Sequence, residues 1–578
     1  MRVRVDVVLA RALTLWVLCL MWLSLLLPLL VTSSGTVLIG AGAVSLGISA
    51  YYLVRALRGS RGGARWWRRL AAVATVSCSA VVGTADIIAN VVRYHGMSPH
   101  FTREDMVFNS ILSLRIHQAG GIDDINNPAF LANLVTSLFY GPGKGYPPLR
   151  VMMTGNAVSV ALICALASLV GAAYTWSRTQ RARPLGRLVA VVAVGWIPFT
   201  GVVLGSEVIV GHINVVMTYL VLWLAWILYD SEDERAGVAL AWELCATTLV
   251  LACWPPVAII PGVLCVLMGV RWRKALRAQG GRPERKELVI LTVSALGFLA
   301  FTVGYPLRAL ASYGEVLGAN GGNIGDPPFI LLAILVDMLC GLWLVLARPQ
   351  SRERSLAIVL VFSGAFLGVV YLLNQRTEDT IGMGYYVNKY LLLVNVFTAS
   401  ILAVELASEM ASQDRSSGPR SLLRHATIVP ALVLVLCAVG LPLQNYGMRS
   451  WVAPIHTPVN WAVFAPVEVM NHEDDVFARV FDKEQGGAAM FYKASTELLV
   501  DMDRNRFMIQ FSAPTDKEVR IYAYTSARDY YGRVCGVFEA WGKDATVYTS
   551  KSRRTDARLW VEGCRAPGQK VEIIAVDD

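Results

Sequence analysis

Thirteen apolar stretches run through the first 444 residues, at about 8–32, 36–54, 70–92, 151–176, 188–205, 212–229, 237–253, 256–270, 288–310, 328–347, 355–373, 391–408 and 427–444. A helix needs roughly 20 such residues to cross about 30 Å of hydrocarbon. The pattern predicts an all-α polytopic membrane domain over residues 1–444 with about thirteen spans. Trp254-Pro255-Pro256 separates the two shortest stretches, and a single broken helix there would change the parity. Composition agrees: 55% of the 578 residues are hydrophobic and 16% charged, against about 25% charged in soluble domains. One large soluble enzyme is excluded, as are disorder and collagen-like repeats. The net charge of +10 reads as loop charge of a membrane protein, with no nucleic-acid partner.

Lys/Arg bias gives the orientation. With Arg2 and Arg4 inside, residues 55–69 carry six arginines and no acid, 177–187 four arginines, and 271–287 seven basic residues. These loops and those at 348–354 and 409–425 fall on the cytoplasmic side. Only 230–236, with Asp230, Glu232, Asp233 and Glu234, runs against the trend. Residues 93–150, 311–327, 374–390 and everything from 445 are then outside. The expected localisation is a multi-pass cell-membrane protein with a cytoplasmic N-terminus. The first stretch is too long for a signal-peptide core and no small-residue cleavage site follows, so it reads as a retained helix.

Residues 445–578 have ordinary polarity and read as a soluble extracytoplasmic α+β domain. Helices are expected at 474–482 and 487–503. Strands of a mostly antiparallel sheet are expected at 506–511, 519–524, 534–541, 545–549, 558–561 and 571–576. Asp474, Asp475, Asp501 and Asp503 read as solvated helix ends. Eight of ten cysteines lie in the apolar stretches, where Cys is an ordinary small residue. The other two, Cys535 and Cys564, suggest a disulfide in an exported domain.

Polar residues at the outer face must supply any chemistry. The loop 93–150 holds Arg103, Glu104 and Asp105. A helix over 103–118 would place these acids in its first turn, favoured by the helix dipole, with Met106, Ile111, Leu112 and Leu114 resting on the membrane surface. Tyr146-Pro147-Pro148 is a rigid entry to the next span. Glu207, His212 and Asn214 flank a short outer hairpin, and Trp254 lies at another. Arg376, Tyr385, Tyr386 and Lys389 form a cationic and aromatic set that fits either a binding site or an interfacial belt. Asp86, Glu243 and Asp337 lie within spans; Asp86 is placed to face the outer cavity. A carboxylate at one end of a lipid-open cavity and cations at the other fit sugar transfer from a lipid-linked phosphate. The carboxylate takes the acceptor proton and the cations stabilise the leaving phosphate.

These residues resemble the GT-C superfamily of integral-membrane glycosyltransferases, and within it the actinobacterial polyprenyl-phosphate-dependent mannosyl- and arabinofuranosyltransferases. The resemblance rests on Asp105-Met106-Val107-Phe108, Tyr146-Pro147-Pro148-Leu149, Gly211-His212-Ile213-Asn214, and Trp254-Pro255-Pro256 running to Arg271-Trp272-Arg273, in that order across about 86–275. His212 stands where the family has Gln, and two extra N-terminal helices precede the acid loop. The tail is not covered. The resemblance implies an inverting transferase with an extracytoplasmic site. It uses a polyprenyl-phosphate mannose or arabinofuranose donor and a cell-envelope glycan acceptor, often with a divalent cation such as Mg, Mn or Ca. Asp105 is then the expected base, with Glu104 as substitute or metal ligand. His212, Asn214, Arg376 and Lys389 are expected at the donor phosphate. Asp86, Arg103, Glu207, Tyr146, Trp254, Tyr385 and Tyr386 are expected to line the cavity. A lipid-linked sugar transporter or flippase, and a non-catalytic envelope-assembly scaffold, are the alternatives.

Overall fold

The computed structural model describes residues 4–30, 35–58, 77, 104–122, 130–180, 187–188, 190–191, 194–195, 198, 212–231, 235–278, 283–308, 335, 337–339, 341–342, 352–376, 385–413, 470–495, 498–513, 516–525 and 528–576. The membrane part holds α1 (Val5–Leu30), α2 (Gly35–Arg58), α3 (Glu104–Ala119), α4 (Phe130–Ser137), α5 (Leu149–Arg178), α6 (Ile213–Tyr229), α7 (Ala236–Cys253), α8 (Ile259–Ala278), α9 (Arg285–Gly304), α10 (Arg352–Asn374) and α11 (Tyr385–Gln413). Among the described residues, eight helical stretches are long and apolar enough to cross a membrane, and the apolar α6, of 17 residues, is shorter. This is an all-α polytopic membrane architecture. The expected spans at 70–92, 328–347 and 427–444 lie wholly or mostly outside the described residues, as does much of 188–205.

α6 is the central post. Val215 through Tyr229 are all buried, and the helix packs against α1, α5, α7, α8 and α11. Trp223 meets Tyr174 of α5 and Phe397 of α11, with ring centroids 5.7 and 6.1 Å apart. α9 does the opposite: Val289, Val293, Leu296, Leu299 and Val303 are exposed. Their spacing puts them on one broad helix face, as expected of a surface that meets lipid. At the break, α7 ends at Cys253, Trp254 is extended, and Pro255 opens a short 3-10 turn over Pro255–Ala258. Proline lacks the N–H a continuing helix needs, so the chain turns into α8, which packs back against α7.

α3 is not a surface helix. Met106, Val107, Ile111, Leu114 and Ile116 join the main core, and Ser110, Ser113 and His117 are buried with them. The expected membrane-surface placement is thereby corrected: buried residues cover more than half of the helix circumference, and Asp105, Phe108, Leu112 and Arg115 on the remaining face are half-buried, so α3 sits within the protein.

Residues 470–576 form α12 (Met470–Glu484), β1 (Ala489–Phe491), α13 (Leu498–Ser512), α14 (Lys517–Arg520), α15 (Tyr530–Val534), α16 (Val537–Trp541), β2 (Ala545–Ser550), α17 (Arg554–Cys564) and β3 (Val571–Val576). The sheet order is β1-β2-β3 and both pairings are parallel, with Ala489 opposite Thr546 and Ala545 opposite Val571. This corrects the antiparallel expectation. Of the six expected strands only 545–549 and 571–576 are strands; the runs at 506–511, 519–524, 534–541 and 558–561 are helical or 3-10. The expected helix at 487–503 divides into β1 and the start of α13. Parallel neighbours need long crossovers, and the misread helices supply them. Cys535 and Cys564 are disulfide-bonded, their Cα atoms 5.1 Å apart.

The tail docks on the membrane helices through a continuous apolar core. Phe477, Phe481, Phe507 and Phe511 pack together and belong to the same cluster as the spans. Phe507 and Phe511 stack at 4.4 Å. A second cluster around Met490, Ile509, Phe538, Trp541 and Val547 is internal to the tail. Polar contacts fix the docking. The Leu149 N–H, in the first turn of α5, donates to Asp482 Oδ1 at 2.7 Å, and Arg150 pairs with Asp475. Gly486 has φ +85, and a Cβ there would lie 2.7 Å from the Tyr146 hydroxyl. Asp501 is fully buried rather than solvated. It accepts from the Ala494 and Ser495 N–H groups and the Tyr531 hydroxyl at 2.8–3.1 Å.

The end of α6 away from the tail carries a buried ionic cluster. Asp230 accepts from Arg354 Nε at 2.6 Å, Arg4 Nη2 at 3.1 Å and the Tyr174 hydroxyl at 3.2 Å, and Arg178 lies at 3.7 Å. Asp6 holds Arg4 at 2.7 Å, and Glu405 lies 3.7 Å from both Arg178 and Arg354. Three carboxylates thus face three guanidinium groups and join the ends of α1, α5, α6, α10 and α11. The acid that ran against the charge bias, Asp230, is the anchor of the basic residues around it.

Candidate functional site

The opposite end of α6 begins at His212. Its carbonyl accepts the Val215 N–H at 3.0 Å. Its Nε2–H donates to Asp105 Oδ2 at 2.8 Å. Asp105 sits in the first turn of α3, where unpaired backbone N–H groups favour negative charge. The imidazole is 3% exposed and the carboxylate 39%. A carboxylate reachable from solvent is therefore held by a buried donor 107 residues further along the chain.

α3 is locked in place by side chains that the sequence did not single out. Tyr140 donates to Asn156 Oδ1 at 2.8 Å, the Asn156 amide donates to Ser110 Oγ at 2.8 Å, and Ser110 donates to the Met106 carbonyl at 2.7 Å. Asn109 donates to the Asp105 carbonyl at 2.9 Å. On the tail side, the Arg520 guanidinium lies over the Phe108 ring at 4.6 Å, one turn from Asp105. Burial pushes the His117 imidazole, toward the far end of α3, below its ordinary range.

Lys389 is 3% exposed in the first turns of α11, with its ammonium 5.8 Å from the Trp254 ring centroid, a cation–π geometry. Trp254 is buried and meets Tyr390 edge-on at 6.1 Å. α6 and α11 touch at Trp223 and Phe397. From that contact, His212 lies 11 residues back (about 16 Å) and Lys389 eight residues back (about 12 Å), at 1.5 Å per residue. Asp105, His212, Trp254 and Lys389 therefore share one end of the bundle, the end on which the tail docks.

Other expected site residues fall around this group. Tyr146 is half-buried against Gly486 of the tail. Asn214 and Tyr386 are half-buried near the starts of α6 and α11. Arg376 is exposed just past the end of α10 rather than in the buried group. Asp86, Arg103 and Glu207 lie outside the described residues, as do the side chains of Glu104 and Tyr385. Among the described residues there is no group of three or more His, Cys, Asp or Glu side chains able to hold a metal ion. Of the two acids expected as cation ligands, Asp105 is bonded to His212 and the Glu104 side chain lies outside the described residues.

Hydropathy and the outer-loop acids pointed to Asp105 and His212 separately; the bond between them carried no sequence signal. Comparison of the chain with family models, curated proteins and solved structures finds no match.

Proposed function

We propose that the protein is an inverting glycosyltransferase that moves mannose or arabinofuranose from a polyprenyl-phosphate donor to a cell-envelope glycan. The observation that carries this reading is the Asp105–His212 contact: a partly exposed carboxylate, oriented by a buried imidazole, at the end of the bundle that also holds Lys389. The acceptor hydroxyl oxygen attacks the anomeric carbon while Asp105 takes its proton. The bond from that carbon to the phosphate oxygen breaks, and its electron pair leaves with the lipid phosphate. His212 keeps the carboxylate aimed, and Lys389 offsets the charge developing on the phosphate. Asn214 lies beside His212 and is the neighbouring polar contact for the donor. The reading includes thirteen spans, a cytoplasmic N-terminus, and an extracytoplasmic α+β domain at 445–578 that forms one wall of the site.

Purified full-length protein in vesicles, given radiolabelled polyprenyl-phosphate mannose or arabinofuranose and an envelope-glycan acceptor, should consume one of the two. Asp105→Asn should slow that consumption by about 10²–10⁴-fold while the protein inserts and folds normally. Vesicles that move the donor between leaflets without releasing sugar would assign the protein to lipid-linked sugar transport, a reading favoured by the buried intramembrane acids Glu243 and Asp337.

A further inference from the structure

α11 carries a polar seam through the interior of the protein. Asn388, Asn395, Thr398 and Glu405 are all buried, and their spacing of seven, three and seven residues keeps them on one side of the helix. Asp337, from a helical stretch over 337–339 of which Leu339 is exposed, is also fully buried and meets the seam at Thr398.

With Asp337 ionised, the hydrogen count at that point does not close. Thr398 Oγ1 lies 2.8 Å from the Val394 carbonyl, 3.1 Å from the Asn395 carbonyl and 3.2 Å from Asp337 Oδ2. It has one hydrogen for three acceptors. In a helix that hydrogen goes to the carbonyl four residues back, which leaves two oxygens, Thr398 Oγ1 and Asp337 Oδ2, facing each other. Asp337 Oδ1 and both amide atoms of Asn395 have no hydrogen-bond partner among the described residues. A buried carboxylate and amide left this way are costly unless something else binds them. Thr398 is nine residues, about 13 Å, from Lys389 along α11 at 1.5 Å per residue. That is close to half the thickness of the hydrocarbon.

We propose that Asp337, Asn395 and Thr398 form an intramembrane site for one monovalent metal cation. The donors are a carboxylate, an amide carbonyl and a hydroxyl, all hard oxygen ligands. A single carboxylate balances a single positive charge, which sets the valence. Midplane oxygen clusters of this kind hold coupling ions in membrane proteins. The site is separate from Asp105 and His212 and does not depend on the transfer reaction.

Equilibrium binding of radioactive sodium to purified full-length protein in detergent, at mildly alkaline pH, tests it directly. Saturable binding near one ion per chain is expected, displaced by lithium or potassium. Asp337→Asn should weaken it by about tenfold or more, and Thr398→Val, which keeps the shape and removes the hydroxyl, by a similar factor. Thermal unfolding of each variant checks that it is folded. No saturable binding of sodium, lithium or potassium to the wild-type protein overturns the site whatever the variants do. So does an infrared band of a protonated carboxyl that is lost in Asp337→Asn but persists in the wild type at high sodium, which would mean that a proton holds the position.

Discussion

The two ends of α6 use charge in opposite ways. At one end Asp230 is 3% exposed and surrounded by Arg4, Arg178 and Arg354, with Asp6 and Glu405 closing the count. Every carboxylate there has a cation, and the group ties five helices together. At the other end Asp105 is 39% exposed and bonded to the His212 imidazole. A charge-balanced buried cluster holds structure, because moving any member leaves another charge uncompensated. A carboxylate with solvent access can still accept a proton. The contrast separates scaffold from site more clearly than residue type does, since both ends are built from acids and bases.

The sharpest way to break the contrast is Asp105→Asn. It keeps the size and cannot accept the proton, so turnover should fall by about 10²–10⁴-fold with the unfolding temperature unchanged. Loss of folding with no specific loss of turnover would make this end a scaffold too. Asp230→Ala should do the reverse. It leaves three guanidinium groups without their shared partner, and stability should drop by about 3–5 kcal/mol, read by thermal unfolding, while donor KM in the surviving protein stays the same.

Asp501 of the tail sharpens the distinction, because it is buried with mostly neutral donors and its nearest cation, Arg504, is 3.9 Å away. Burial outweighs the hydrogen bonds and pushes its carboxyl up to about 6. A raised folded value means the contribution is fully present below about pH 4 and is lost as pH rises through 6, by about 3 kcal/mol. Unfolding of the full chain across this window should show that slope, and Asp501→Asn should flatten it. Smaller effects are expected from His212→Ala and Lys389→Ala, each raising the transfer barrier by about 1.5–3 kcal/mol. Donor kinetics unchanged in both would leave them as packing residues. The smallest concerns Arg235 and Glu284, an ion pair whose side chains are both more than half exposed. Replacing either with Ala should change stability by less than about 1 kcal/mol.

Much of the membrane part was readable because lipid permits few solutions: long apolar runs become helices, and most described boundaries fall near those read from hydropathy, with the largest differences where α8 runs on to Ala278 and where α11 spans Tyr385–Gln413. The tail was harder. Arg506–Phe511 and Val534–Trp541 are short runs of mixed β-branched and aromatic residues, and such runs fit a buried helix as well as a strand. The parallel sheet follows from where the crossovers go, which no local pattern encodes. At the site, the acid and the histidine stood out singly because polar residues beside spans are costly. Their pairing, the Tyr140–Asn156–Ser110 lock and the Arg520–Phe108 contact join distant segments, and a single sequence has no term for them. Asp230 is the instructive case. It looked like a violation of the charge bias because the bias counts loops, whereas the fold gathers three arginines from different loops around one acid.

The bond from the Leu149 N–H to Asp482 spans 333 residues. A ribosome adding about 5–20 residues per second therefore makes the start of α5 roughly twenty seconds to a minute before the group that caps it. During that interval the spans can insert and pack, while the first turn of α5, Phe108 and Tyr146 wait for partners that do not yet exist. Chains that stop before residue 470 would sit in the membrane with their helices formed and the wall beside Asp105 missing. Order of synthesis thus makes arrival of the tail the final step in assembling the end of the bundle around Asp105.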